Sequence, residues 1–73
     1  MSKVEINSPV TGTVWKIDVT VGSFVNQGDV IMILESMKME IPVEASISGV
    51  VKALYVQAND TVEDEQVLCV VEP

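Results

Sequence analysis

The chain has 73 residues, 48% of them hydrophobic, and carries four lysines, eleven carboxylates and no arginine or histidine, for a net charge of −7. This length predicts a single domain over residues 1–73 and leaves no room for a second, while the charge argues against binding to nucleic acid or anionic membranes. Cys69 is the only cysteine, so an internal disulfide is excluded, and without histidine there is no Cys–His catalytic pair.

Valine-rich and isoleucine-rich segments separated by turn residues predict six β-strands and no helix of useful length. The turns include Val21-Gly22-Ser23 and Ala58-Asn59-Asp60, which are rich in residues that favour tight turns. In chain order, the predicted strands span residues 3–7, 13–21, 30–35, 39–44, 50–58 and 67–72. Short strands separated by turns favour an all-β sandwich or flattened barrel.

The two halves of the chain repeat each other. A shift of 37 positions aligns residues 8–34 with residues 45–71 without a gap. The identical pairs are Gly12 with Gly49, Val14 with Val51, Val19 with Val56, Val25 with Val62 and Val30 with Val67. Gly22 aligns with Asn59, and both residue types tolerate the left-handed backbone of tight turns. Two copies are too few for a solenoid, so we expect the halves to pack face to face about a pseudo-two-fold axis.

The first long strand alternates in a way that suggests which side chains face the core. The odd-numbered residues of the segment 15–21 share one face, and Ile17 and Val19 among them align with apolar residues of the second half. We therefore expect that face to point inward, and residues 14, 16, 18 and 20 to point outward. Trp15 itself is not assigned to the core, because it aligns with Lys52.

The acidic segment near the end of the chain is interpreted as a solvated turn. Asp60, Glu63, Asp64 and Glu65 lack the spacing of a calcium-binding loop, so no metal site is predicted. Cys69 follows Leu68 in an apolar run, which indicates a small core residue and not a reactive thiol.

No segment of the sequence predicts export or membrane insertion. The first residues lack the apolar core of a signal peptide, and the longest apolar run, residues 30–34, is far too short to cross a bilayer. We therefore expect a cytoplasmic location and no membrane partner.

The segment Glu35-Ser36-Met37-Lys38-Met39-Glu40-Ile41-Pro42-Val43 holds one lysine between two methionines, at the joint between the two halves of the repeat. With Gly28-Asp29 upstream, Ser48-Gly49 downstream and the repeat itself, it resembles the attachment motif of the biotinyl/lipoyl carrier domain family. The resemblance covers essentially the whole chain and is nearest to a stand-alone biotin carboxyl carrier.

The resemblance implies a flattened β-barrel or sandwich of two four-stranded antiparallel sheets related by a pseudo-two-fold axis. It also implies that Lys38 is biotinylated by a biotin protein ligase. The carrier, not itself an enzyme, would then move carboxylate between biotin carboxylase and carboxyltransferase active sites as a monomer. Many carriers of this family have a protruding thumb insertion in the first half, and the gapless repeat predicts that this chain lacks it.

Four residues around Lys38 are candidates for recognition by the ligase. Met37 and Met39 have soft, adaptable side chains that suit either contact with a partner or packing within the hairpin. Glu35 and Glu40 either help to orient the ligase or act as edge charges that discourage strand pairing.

Two other functions remain open from the sequence. The first is a lipoyl carrier, or a dual acceptor of biotin and lipoate, for a 2-oxoacid dehydrogenase-type complex. Lipoyl domains usually place Asp before the lysine, so Met37 and Met39 favour biotin. The second is an unmodified interaction module, or a domain excised from a larger carboxylase chain. The sequence does not encode the acceptor substrate, which a partner carboxyltransferase selects.

Overall fold

The computed structural model describes residues 3–73, which form eight β-strands. The strands are β1 (Val4–Asn7), β2 (Gly12–Ile17), β3 (Phe24–Val25), β4 (Val30–Ser36), β5 (Met39–Glu44), β6 (Gly49–Leu54), β7 (Thr61–Val62) and β8 (Val67–Glu72). Sheet A has the strand order β1-β8-β6-β3, and sheet B has the order β5-β4-β2-β7. All the strand pairs are antiparallel. The all-β prediction with two four-stranded antiparallel sheets is confirmed.

The internal repeat becomes a pseudo-two-fold relation between the two sheets. A shift of 37 positions places β2 on β6, β3 on β7 and β4 on β8, and it places β1 within β5. The turns obey the same relation, because Gly22 and its equivalent Asn59 have φ angles of 98° and 78°. Gly28 and its equivalent Glu65 also have positive φ, at 93° and 72°. The symmetry predicted from the sequence therefore extends to the backbone of the turns.

The core is aliphatic and is built from equivalent positions of the two copies. It lies between the sheets and contains Ile6, Val14, Val25, Ile31, Met32, Leu34, Val43, Ala45, Val51, Val56, Val62, Leu68, Cys69 and Val71. Burial raises the pKa of the Cys69 thiol to about 11, because the apolar surroundings disfavour the charged form. The thiol stays protonated at neutral pH and acts as the small core residue expected from the sequence.

Both long strands end four residues earlier than the sequence predicts, because the chain turns to reach the other sheet. Ser23 N donates to Thr20 O at 3.0 Å, and at the equivalent place Asp60 N donates to Gln57 O at 3.1 Å. Val21, which was predicted to face inward, is exposed within the first of these turns. The chain then forms the two-residue strands β3 and β7, which are too short to leave a recognisable period in the sequence.

A β-bulge at Trp15 changes which side chains of β2 face the core. The register of β2 against β4 shifts between Val14 and Lys16. Val14 is fully buried and Trp15 is 48% exposed, whereas Ile17 and Val19 are partly buried and pack against the core. The inward assignment is thus right for Ile17 and Val19, whereas the outward assignment of Val14 is wrong. A bulge inserts one extra residue, so the alternation changes phase at that point.

The fold is elongated, with principal extents of 36 × 17 × 17 Å. Val4 pairs with Val71 at one end, so the first and last described residues lie close together there. The turn between β4 and β5 lies at the opposite end, where Ser36, the last residue of β4, hydrogen-bonds to Thr11 in the segment that follows β1. Within residues 3–73, no helix has the length and apolar character needed to span a bilayer.

Candidate functional site

The site is the hairpin formed by β4 and β5. Ser36 pairs with Met39 as the last pair of the ladder, which leaves only Met37 and Lys38 in the turn. Their φ angles are 52° and 66°. A two-residue turn with positive φ at both positions is a type I′ turn, whose twist matches that of the flanking strands. All five residues predicted for the site therefore lie on this hairpin, and their roles in attachment and recognition stay predictions.

The tip of the hairpin is unusually accessible. Met37 is 91% exposed, Met39 is 64% exposed, and the Lys38 side chain between them is also exposed. No carboxylate among residues 3–73 lies within ion-pair distance of the Lys38 ammonium, whereas Lys16 and Lys52 both form ion pairs. Of these three lysines, Lys38 is the one whose amine is free to enter the active site of another protein.

The backbone at Met37 is held in a conformation that side chains with a Cβ disfavour. Residues other than glycine cost on the order of 1 kcal/mol or more in the left-handed region. Strained backbone of this kind concentrates at functional sites, where the surrounding structure maintains it. Here the β4–β5 ladder imposes the turn, and the turn directs the Lys38 side chain away from the barrel.

Replacing Met37 with glycine is expected to stabilise the fold. Glycine adopts positive φ at no steric cost, so the free energy of unfolding should rise by about 0.5–1 kcal/mol, measured as a higher urea midpoint. The matched control is Met39→Gly. Met39 lies in β5, where glycine weakens a strand, so its midpoint should fall. A lower midpoint for Met37→Gly would show that the turn is not strained.

The base of the hairpin rests on the residues that precede and open β2. The Ser36 hydroxyl donates to Thr11 O at 2.9 Å, and the Thr11 hydroxyl accepts a hydrogen bond from Asp64 N at 3.0 Å. A Cβ placed on Gly12 would lie 2.5 Å from Glu35 O and 3.2 Å from the Ser36 Cβ. Glycine is therefore required here because the β4 backbone passes too close for any side chain.

Two carboxylates flank the turn on the outer face of sheet B. Glu35 on β4 is the direct cross-strand partner of Glu40 on β5, and both are exposed. Like charges in directly opposite positions destabilise a sheet by a few tenths of a kcal/mol to about 1 kcal/mol. No lysine among residues 3–73 compensates either carboxylate with an ion pair. The hairpin thus presents an exposed amine at its tip and a concentrated negative charge at its base.

The acidic turn after β6 is not part of this hairpin. The Asp60 carboxylate accepts a hydrogen bond from Gln57 N at 2.9 Å, so it closes its own turn. Within residues 3–73, no three cysteine or acidic side chains come close enough together to hold a metal ion.

The hairpin, the two sheets and the repeat can be compared with known proteins. The family model described as "Biotin-requiring enzyme", that of the biotin/lipoyl domains, matches residues 4–71, nearly the whole chain. This chain belongs to that family. The resemblance inferred from the Met-Lys-Met segment is confirmed.

Two relatives are similar along almost their whole length. The biotin/lipoyl attachment protein of Bacillus subtilis (strain 168) is 40% identical over 63 residues, which cover 86% of each chain. The biotinylated protein TB7.3 homolog of Mycobacterium leprae (strain TN) is 33% identical over 67 residues, covering 92% of this chain and 94% of that protein. Both relatives thus have about the same length as this chain.

A solved structure shares the fold closely. The crystal structure of Kluyveromyces lactis urea carboxylase matches with a TM-score of 0.92 and 33% sequence identity. The match covers 99% of this chain but only 6% of the carboxylase chain. The same fold therefore also occurs as a small part of a far longer protein.

Proposed function

We propose that this chain carries covalent biotin on Lys38 and serves as the carboxyl carrier of a biotin-dependent carboxylase. The observation that supports this most is the hairpin tip, where Lys38 lies exposed, free of ion pairs with residues 3–73, in a two-residue turn beside the 91% exposed Met37. Membership of the biotin/lipoyl family and the similarity to a biotinylated protein of nearly equal length agree with it.

Attachment requires only the amine and a partner enzyme. In the proposed reaction, a biotin protein ligase presents biotinyl-adenylate, and the Lys38 nitrogen attacks its carbonyl carbon. An amide bond forms, the bond to phosphate breaks, AMP leaves, and the ammonium proton passes to a base. No carboxylate among residues 3–73 lies within ion-pair distance of the amine to serve as that base, so the ligase supplies it. Met37, Met39, Glu35 and Glu40 are proposed to contact the ligase.

The barrel would then be a rigid support for a long, flexible arm, the side chain formed by Lys38 and the attached biotin. Lys38 would hold the biotin at the end of the barrel, and the attached biotin would supply the chemistry for taking up a carboxyl group in one active site and giving it up in another. The hairpin lies at one end of a body only 17 Å across, so the arm and the turn can enter a cleft while the body stays outside. We propose biotin carboxylase and carboxyltransferase as the two partners, and a monomer in the cytoplasm, since a net charge of −7 disfavours self-association.

The second candidate function is a lipoyl carrier. It is supported by the 40% identity to a protein named as a biotin/lipoyl attachment protein. The two cofactors would use the same amine and the same amide chemistry. They would differ in the ligase and in the enzymes served. The methionines on both sides of Lys38 support biotin as the principal group.

The function is tested by ligation with purified components. The protein, expressed without cofactor, is incubated with ATP and with either a biotin ligase and biotin or a lipoate ligase and lipoate. Intact mass and peptide mapping then identify the adduct and its position. We expect one biotin per chain, on Lys38. A chain that gains no biotin, or gains only lipoate, would overturn the proposal.

A further inference from the structure

The pseudo-two-fold axis creates a problem of recognition for a ligase. The two ends of the molecule have similar backbones. The Lys38 end contains the start of β2, the end of β4 and the short strand β7, and these correspond to the start of β6, the end of β8 and the short strand β3 at the other end. A ligase that modifies Lys38 must distinguish its end of the barrel from the opposite end. A carboxylase can recognise the attached biotin, but the ligase has only the protein surface to read. Exposed positions that differ between the two copies are therefore the candidates for this discrimination.

The outer faces of the two sheets differ most clearly at the equivalent bulges of β2 and β6. In sheet A the bulge residue of β6 is Lys52, whose Nζ lies 3.5 Å from a carboxylate oxygen of Glu72. The equivalent pair in sheet B is Trp15 and Glu35. By the pseudo-two-fold relation, Trp15 and Glu35 occupy the positions of the ion-paired Lys52 and Glu72. Where sheet A neutralises its carboxylate with lysine, sheet B leaves Glu35 uncompensated beside an exposed indole.

The same end of sheet B concentrates further features that attract a cation. Glu35 lies opposite Glu40, and the position equivalent to Glu40 in the other copy is Lys3. The Trp15 ring already binds a positive charge, because Lys16 Nζ lies 5.4 Å from its centroid. Lys16 Nζ is also 3.9 Å from the Asp18 carboxylate, so Lys16 is not paired with Glu35. An exposed indole at the same end of the sheet as two acidic side chains suits an arginine or lysine of a partner protein.

From this asymmetry we infer that Trp15, together with Glu35 and Glu40, forms a docking surface for a cationic patch of the ligase. This inference rests on the proposed function and extends it beyond the hairpin to the outer face of sheet B. Trp15 is a specificity residue that is remote from the reacting amine. It contributes an aromatic surface, and its presence in place of lysine keeps Glu35 available to the partner. The surface distinguishes the Lys38 end of the barrel from the end that carries Lys52.

The test measures ligation kinetics of Trp15→Arg with the purified biotin ligase. Arginine restores the charge pairing seen in sheet A without adding another amine. We expect KM for the carrier to rise about tenfold or more, as for the loss of an interface hot spot, with kcat little changed. The conservative variant Trp15→Phe should retain a KM near that of the wild type. The KM of the wild type should also rise more steeply with salt than that of Trp15→Arg.

Matched controls at the opposite end separate docking from stability. Phe24→Ala removes an aromatic side chain that is 63% exposed, and Lys52→Trp removes the charge from the equivalent bulge. Both should leave KM unchanged within about twofold, the range of surface substitutions outside an interface. Trp15→Ala, with a thermal unfolding curve, replaces Trp15→Arg if arginine impairs folding. Biotinylation of Lys38 with an unchanged KM in Trp15→Arg, or in Trp15→Ala where it replaces that variant, would overturn this inference alone. A wild type that gains no biotin would overturn the proposed function as well.

Discussion

Replacing Lys38 with arginine is expected to abolish biotin incorporation, although three other lysines remain in the chain. Arginine keeps the positive charge and a long side chain, but its guanidinium does not lose its proton under ordinary conditions and is no nucleophile. The variant should fold, since the Lys38 side chain is exposed and makes no ion pair with residues 3–73. Intact mass after incubation with biotin ligase, ATP and biotin should show unmodified protein only.

The control for this variant is Lys52→Arg. Lys52 is also exposed, but it lies in β6 and pairs with Glu72 at 3.5 Å, which arginine can maintain. This variant should be fully biotinylated on Lys38. The unfolding free energies of both variants should stay within about 0.5 kcal/mol of the wild type, as expected for surface substitutions. An adduct on Lys38→Arg would place the attachment site on another lysine and contradict the assignment.

The symmetry and the position of the hairpin could be predicted from the sequence because both follow from the alignment of the two halves of the chain. A gapless repeat aligns turns as well as strands, so Gly22 and Asn59 could be assigned equivalent backbone conformations, and both have positive φ. The same alignment placed Lys38 at the joint of the two copies. That joint lies at the end of the barrel far from the pair Val4 and Val71. Local composition and the repeat were sufficient for these conclusions.

The remaining features depend on contacts that no local pattern records. The type I′ turn is formed by Met37 and Lys38, not by the Asn-Gly or Asp-Gly pairs that signal it, because the β4–β5 ladder imposes it. The bulge at Trp15 is likewise set by pairing between strands, and strict alternation assigned Val14 to the wrong face. Sequence comparison of the two copies did align Trp15 with Lys52. Only the structure shows that Lys52 pairs with Glu72, and therefore that tryptophan at the equivalent position leaves Glu35 without such a pair.

Gly12 is the residue of the site that the sequence could not identify, and replacing it with alanine is expected to disturb the Lys38 hairpin. The new Cβ would lie 2.5 Å from Glu35 O, which belongs to the β4 backbone and cannot rotate away. Overpacking of this kind costs about 1–3 kcal/mol, and each kcal/mol lowers the Tm of a domain this size by about 4–8 °C. Because the displaced strand leads directly into the turn, kcat/KM for ligation should fall about 10-fold to 100-fold.

The pseudo-two-fold axis supplies the control that separates these two effects. A Cβ on Gly49 would meet the Glu72 carbonyl oxygen at the opposite end of the barrel, in the same relation and at similarly close range. Gly49→Ala should therefore lose a comparable amount of stability, measured by thermal unfolding, while Lys38 is ligated at the wild-type rate wherever both variants are folded. Equal losses of ligation in the two variants would mean that Gly12 acts through global stability. A loss confined to Gly12→Ala would show that the close approach of β2 to β4 positions the turn, because only that contact lies beneath Lys38.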